Sequence, residues 1–225
     1  MGRLRSLWMI IGGCLLALSM HAAFAADPQQ RLFKAAWGGT GDFEDAMEAL
    51  EAGADVNVLD EHGWTALMRA AVGNKPAMAE ALIAHGADVN ARSQDGGLTA
   101  LMHAASHNTS PAMVETLITH GADVNARCRL GWSALMFSAA FSVSTIAEAL
   151  LTHGVEVNAR DRDGATALML AAEYNDPPMV TTLIEHGANL GGRDDQGKTA
   201  ADLAEENAAV RGSDVYWRLH DGRYE

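Results

Sequence analysis

Histidine is the side chain in this sequence whose type and spacing most readily suggest chemistry. Four histidines, here called the histidine ladder, each stand directly before a glycine: His85, His120, His153 and His186. A further pair, His103 and His107, has the four-residue spacing that places two imidazoles on one face of a helix. Imidazole is a common zinc ligand, but His107 is predicted to lie in the loop between two helices, and no neighbouring acid or cysteine completes a ligand set around this pair.

Motifs of familiar catalytic sites are absent from the sequence, which contains no Gly-x-Ser-x-Gly, His-Glu-x-x-His or Cys-x-x-Cys pattern. The glycine-rich stretch 38–42 lacks the lysine of a phosphate-binding loop and is predicted to be a connecting loop. We therefore expect no catalytic residue, no cofactor and no metal. The alternative hypothesis is a metal- or oxidant-handling stress protein that uses the histidine ladder and four methionines, Met68, Met102, Met136 and Met169.

A repeated sequence motif predicts the helices that position these residues. The motif at 63–71 is Gly-Trp-Thr-Ala-Leu-Met-Arg-Ala-Ala. It recurs in related form at 97–105, 131–139 and 164–172, and a more divergent copy begins at Gly197. The hydroxyl residues within it are spaced 34, 34, 33 and 33 residues apart. A second motif, Gly-Ala-Asp-Val-Asn, recurs with the same period. Such a period indicates a stack of supersecondary units.

Each unit is predicted to contain two helices. The hydroxyl residue caps the first helix by accepting a free amide hydrogen of its first turn. The second helix ends at a glycine in the left-handed conformation. Asp42 is predicted to cap a helix of the opening unit, and Thr199 with Asp202 has the form of a capping box. Residues 215–219 are predicted to form a last amphipathic helix whose aromatic side chains cover the end of the stack.

The repeated motifs closely resemble those of ankyrin repeats, over roughly residues 29–223. The resemblance implies an all-α ankyrin-repeat solenoid of stacked antiparallel helix pairs with projecting hairpin-like loops. We place an N-terminal cap at 29–58, internal repeats at 59–91, 92–126, 127–159 and 160–192, and a C-terminal cap at 193–225. It also implies a spacing of about 10 Å between equivalent atoms of adjacent units, too far for one zinc ion to join two ladder histidines.

Ankyrin repeats usually bind other proteins through loop tips and the concave face of the inner helices. On these surfaces we look for residues that differ between equivalent positions, because the fold requirement explains the constant ones. On the inner helices the candidate partner-binding residues are Arg69, His103, Phe137 and Leu170. At the loop tips they are Arg92, Arg127, Arg129, Arg160 and Arg162.

The N-terminus has the pattern of a secretory signal peptide, with Arg3 and Arg5 before an apolar run that ends near Ala23-Phe24-Ala25. We expect cleavage after Ala25, a linker at 26–28, and a periplasmic or secreted protein of an exported bacterial type. Retention of the segment as a membrane anchor and lipidation of Cys14 are the alternatives. The apolar run is shorter than the roughly 20 residues that span a bilayer.

Charge limits the choice of partner. The formal net charge is −13, and removal of residues 1–25 takes away two arginines and no acid, which leaves −15. Such a charge disfavours nucleic acid and anionic membranes and favours a basic or neutral protein partner. We expect a monomer without stable membrane insertion after cleavage. Cys128 is then the single cysteine of the exported chain, so no internal disulfide is possible.

Overall fold

The computed structural model describes residues 27–37, 43–107 and 110–221, and within these ranges the chain forms thirteen helices and no β-strand. They are α1 (Pro28–Trp37), α2 (Phe43–Glu51), α3 (Ala66–Val72), α4 (Pro76–Ala84), α5 (Ala100–His107), α6 (Ala112–Thr119), α7 (Ala134–Phe141), α8 (Ser144–Leu151), α9 (Ala167–Tyr174), α10 (Pro177–Glu185), α11 (Ala200–Ala204), α12 (Ala208–Arg211) and α13 (Asp214–Asp221). The predicted all-α architecture is confirmed.

The helices form two layers. The inner helices α1, α3, α5, α7, α9 and α11 pack each against the next, and the outer helices α4, α6, α8 and α10 do the same. Each inner helix from α1 to α9 also packs against the outer helix that follows it. Because every unit contacts mainly its neighbours, the molecule is a solenoid of helix pairs. Small buried residues such as Ala70 and Ala71 allow the inner helices to approach closely.

Hydroxyl side chains start the inner helices, as predicted. The Oγ atoms of Thr65 and Ser133 accept hydrogen bonds of 3.3 Å from the amides three residues later. Thr99 and Thr166 make the equivalent bonds at 3.4 Å. The Thr199 side chain accepts from the Asp202 amide while the Asp202 side chain accepts from the Thr199 amide, which completes the predicted capping box. Each cap stabilises its helix by about 1 kcal/mol.

Glycine ends the outer helices. Gly187 has a φ of +85°, a region that side chains with a Cβ rarely occupy, and Gly86, Gly121 and Gly154 share it. The preceding ladder histidine turns its ring back onto its own helix. His186 Nδ1 lies 2.8 Å from the Thr182 carbonyl oxygen, and His85, His120 and His153 make the same contact with the carbonyl four residues earlier. A carbonyl only accepts, so Nδ1 is the donor and satisfies a last-turn carbonyl.

Adjacent units are joined by hairpins, the loops that lead from an outer helix to the next inner helix, and by asparagine side chains. Asn57 Nδ2 donates to the Gly86 carbonyl at 3.0 Å, while its Oδ1 accepts from the Asp88 amide at 2.8 Å. Asn90 and Asn158 repeat this pair of bonds one and three units later. The recurrence of asparagine in the second motif therefore has a structural cause.

The core consists of leucine, alanine and methionine. Met68, Met102, Met136 and Met169 are each at most 1% exposed and lie among the buried leucines and alanines of the inner helices. Because their side chains are buried, solutes reach the thioether sulfurs poorly. The contribution of these methionines that the structure shows is packing within the core.

Several local expectations need correction or lie outside the described residues. The predicted last helix forms as α13, and its buried face consists of Val215 and Leu219. Trp217 lies on another face, is 66% exposed and does not cover the stack. His107, which we would place in a loop, is the last residue of α5. The predicted signal peptide, 1–25, and the Asp42 cap lie outside the described residues.

Candidate functional site

The four inner-helix candidates occupy one helix position in successive units, but their accessibility differs. His103 is 3% exposed and Leu170 is 5% exposed, so neither offers much surface in the free chain. Arg69 and Phe137 are half-buried. Of these two, the Arg69 side chain is only 12% exposed, so Phe137 is the more accessible member of the column, and the role of the column in partner binding stays a prediction.

Three of the hairpin arginines have a structural role that the sequence analysis did not anticipate. Arg92 Nη1 donates to the Gly97 carbonyl of its own hairpin at 3.1 Å and to the Arg127 carbonyl of the next at 2.7 Å. Arg127 makes the same two kinds of contact, and Arg160 Nη1 donates to the Arg193 carbonyl at 2.6 Å. Arginine recurs at this position in successive hairpins, and each side chain contacts the next hairpin. The three arginines therefore share a structural role and do not make one unit different from another.

Arg129 and Arg162 follow Arg127 and Arg160 by two residues at the hairpin tips, and both are exposed. Arg129 Nη1 donates to the Asp95 backbone carbonyl at 3.0 Å. Within the described residues neither side chain forms an ion pair, whereas Arg160 lies 3.2 Å from the carboxylate of Asp195. These two guanidinium groups therefore keep donors for an anionic partner.

A compact cluster, here called the Arg69 cluster, joins the N-terminal cap to the first internal unit and contains Trp37, Asp60, Trp64, Arg69 and His103. The Arg69 guanidinium carbon lies 4.2 Å from the ring centroid of Trp37 and 5.1 Å from that of Trp64. Both are cation–π distances. Arg69 also forms an ion pair with Asp60, whose side chain is 6% exposed, and its Nε donates to Asp60 Oδ2 at 2.6 Å.

The hydrogen bonds of Asp60 determine its charge. Partial burial, the largest single influence, acts to raise the pKa of the carboxyl group. Hydrogen bonds from the Trp64 amide, Arg69 and the His62 amide together outweigh it, so the pKa of Asp60 is lowered from its ordinary value. Asp60 thus stays ionised and holds Arg69 between the indoles. The cation of this cluster is satisfied internally.

His103 lies at the edge of the Arg69 cluster in an environment that keeps it neutral. Its ring centroid is 4.3 Å from that of Trp64 and 6.4 Å from that of His107. Neither ring nitrogen has a hydrogen-bond partner among the described residues. Burial above all, and then the neighbouring His107, lower the pKa of His103 to about 4, although Asp95 acts in the opposite direction. The imidazole therefore stays uncharged at neutral pH.

A second cluster, here called the third-unit patch, is apolar and accessible and contains Leu130, Trp132, Phe137 and Phe141. Leu130 is 65% exposed and Phe141 is 62% exposed. The Trp132 ring centroid lies 5.1 Å from that of Phe137 and 6.0 Å from that of Phe141. Trp132 is held in place because its Nε1 donates to Asp161 Oδ2 at 2.9 Å. Trp132 is thus fixed in contact with Phe137 and with the exposed Phe141, and the exposed Leu130 precedes it by two residues in the hairpin.

Phe141 was missed in the sequence analysis, although a signal was present. It stands at the last position of α7, and the corresponding positions of the neighbouring repeats carry His107 and Tyr174. Tyr174 is also mostly exposed, at 59%. Comparison at this second helix position, rather than one turn earlier alone, would have identified both aromatic side chains.

No group of three potential metal ligands occurs among the described residues. In the same part of the chain, Cys128 is buried and unpaired, and no helix is long and apolar enough to cross a membrane. The ladder histidines commit Nδ1 to a carbonyl, and the four inner methionines are buried.

Comparison with known families agrees with this architecture. The family model for ankyrin repeats matches three times, over residues 32–128, 109–194 and 135–213. The chain therefore belongs to the ankyrin repeat family, whose members are generally protein–protein interaction modules. A comparison with curated individual proteins found no match.

Proposed function

We propose that this protein is an exported, non-enzymatic binding module that acts as an adaptor or inhibitor in the bacterial periplasm. It holds a protein partner through its hairpin tips and the inner-helix face. The observation that carries this proposal is the third-unit patch, because aromatic residues are enriched at protein interfaces and Phe141 is largely exposed beside Trp132. The general role of ankyrin repeats as scaffolds supports the non-enzymatic part.

The proposed location and the proposed charge of the partner are both inferred from the sequence. The signal-peptide pattern of residues 1–25 supports export, with cleavage after Ala25. The net charge of −13 for the whole chain supports a basic or neutral protein partner rather than nucleic acid, because like charges slow association. We also propose that the exported protein acts as a monomer.

A crosslinking pull-down from the native periplasm tests the proposal. The bait is the exported protein, compared with a variant that combines Arg129→Ala, Phe137→Ala and Arg162→Ala. A matched control combines Glu80→Ala and Glu115→Ala, two exposed acids at one position of successive outer helices. Far-UV circular dichroism should show equal helix content in all three proteins.

The proposal expects a discrete protein that is captured by the bait and by the outer-helix control but is lost with the triple variant. Equal capture by all three proteins would remove the assignment of the surface. Capture of nothing above background would remove the proposed function.

A further inference from the structure

We infer that the third-unit patch, together with Arg129 and Arg162, recognises a segment in which an apolar side chain stands beside one or more carboxylates. This inference rests on the proposed function and adds the chemistry of the partner segment. The occupant is an extended or helical protein segment that carries Leu, Ile, Phe or Trp close to Asp or Glu.

The apolar half of the recognition comes from the patch itself. Phe141 exposes 62% of its surface and Leu130 exposes 65%, and Val143 beyond the helix end adds a residue that is 42% exposed. Trp132 is fixed by its bond to Asp161, so this ring is ordered before a partner arrives. Burial of such side chains against a partner removes apolar surface from water, which favours the complex. An apolar anchor on the partner is the complementary group.

The anionic half comes from Arg129 and Arg162, which lie at the tips of successive hairpins on both sides of Leu130. The Arg162 amide donates to the Leu130 carbonyl at 3.2 Å. The Cγ of Arg162 would stand 3.3 Å from a Cβ placed on Gly131, so the stem of this side chain crosses the tip of the third hairpin. Two cations therefore border the exposed leucine, and a carboxylate can accept two parallel bonds from either guanidinium.

The nearby acids leave these cations available. Asp161 already accepts from Trp132 and from the amides of Asp163 and Ala165. Asp95 accepts from the Gly96 amide, and Arg129 contacts its backbone carbonyl rather than its carboxylate. Asp163 is the exposed acid closest in sequence to Arg162. Its backbone carbonyl, as distinct from its carboxylate, accepts a hydrogen bond from the amide of Asp195.

The Arg69 cluster provides an internal comparison. There the cation has a buried carboxylate partner and two indoles, so it has little to gain from a ligand. In the third unit the aromatic side chains and the cations are both present, but no carboxylate of the described residues forms an ion pair with Arg129 or Arg162. A partner segment would supply one.

The net negative charge does not conflict with an acidic segment. Exposed glutamates recur on the outer helices at Glu80, Glu115 and Glu148, away from the hairpin tips. The charge of the whole chain governs the long-range approach of the partner, while the segment that docks is chosen by the groups it contacts. A neutral or basic protein with a local acidic and apolar segment satisfies both conditions.

A random peptide library displayed on phage is the probe for this inference. The library is selected on the purified exported protein, and the enriched peptides are synthesised. Their affinities are then measured for the wild type, Arg129→Gln with Arg162→Gln, Phe137→Ala with Phe141→Ala, and the outer-helix control Glu80→Gln with Glu115→Gln. Binding is measured at low and at high salt.

The expected peptides pair an aromatic or aliphatic residue with Asp or Glu. Their binding should weaken at least tenfold in the double arginine variant and fall with added salt, and the outer-helix control should bind as the wild type does. Enrichment of Lys- or Arg-rich peptides, or equal binding to the arginine variant, would overturn this inference while the proposed function stands. Failure to enrich any peptide that depends on Phe137 and Phe141 would overturn both.

Discussion

The buried imidazole of His103 makes a specific prediction about stability and pH. The unfolded chain exposes this ring, whose ordinary pKa is 6.5, whereas in the folded protein its pKa is lowered to about 4. Between these values the unfolded state binds more protons than the folded state, so acid favours unfolding. The stability associated with neutral His103 is complete above pH 6.5 and is lost as the pH falls towards 4.

The size of this effect follows from the same two pKa values. Each pH unit between them corresponds to about 1.4 kcal/mol, so the loss across the whole interval is about 3 kcal/mol. His103 is 3% exposed, and neither ring nitrogen has a hydrogen-bond partner among the described residues, so solvent relieves little of this penalty. Because Asp95 acts to raise the pKa of His103, Asp95→Asn should extend the loss to lower pH and enlarge its total.

The assay is urea unfolding of the wild type and His103→Leu at several pH values between 4 and 8. The wild type should lose about 3 kcal/mol relative to the variant as the pH falls from neutral to 4. Met102→Leu, a buried substitution on the same helix without a titrating group, serves as the control and should differ from the wild type by a constant amount. A constant difference between wild type and His103→Leu would refute the argument.

Three further pairs of substitutions test how the stack is held together. Thr166→Ala should lower the free energy of unfolding by about 1 kcal/mol, because Met169 N loses its acceptor, whereas Thr166→Ser should change it little. Gly187→Ala should cost about 1 kcal/mol from its φ of +85° alone, and Gly164→Ala should cost more, because the new Cβ would also lie 3.0 Å from a backbone nitrogen of the next hairpin. Asp60→Asn should cost about 3 kcal/mol by leaving a largely buried guanidinium without its carboxylate, whereas the exposed Glu61→Gln should be nearly neutral. Equal thermal or urea midpoints within any of these pairs would contradict the corresponding contact.

The helix framework could be predicted from sequence because its determinants are local. A hydroxyl such as Thr166 caps a helix through an amide three residues away, and a glycine such as Gly187 ends one through its own φ angle. Neither depends on the rest of the fold. The exposure of Trp217 could not be predicted in this way, because it depends on which face of α13 meets α10 and α11.

The sequence period places the inner-helix candidates at one position of successive helices, but it does not decide their exposure. Burial within this column is decided by neighbours in other units. Trp64 covers His103 from the preceding unit, whereas no comparable ring covers Phe137 from the second unit, where Leu98 replaces the tryptophan. Arg92, Arg127 and Arg160 were grouped with variable residues, although their recurrence already indicated a role in the fold.

Site-specific photo-crosslinking would test the central claim, that a protein partner binds the third-unit patch, most directly. A photoreactive phenylalanine analogue is placed at Phe141, or as a control at Thr119, which is exposed at the end of an outer helix. Irradiation of the native periplasm should yield a discrete protein adduct from position 141 and none from position 119. An adduct from position 119 alone, or the same background from both, would contradict the claim.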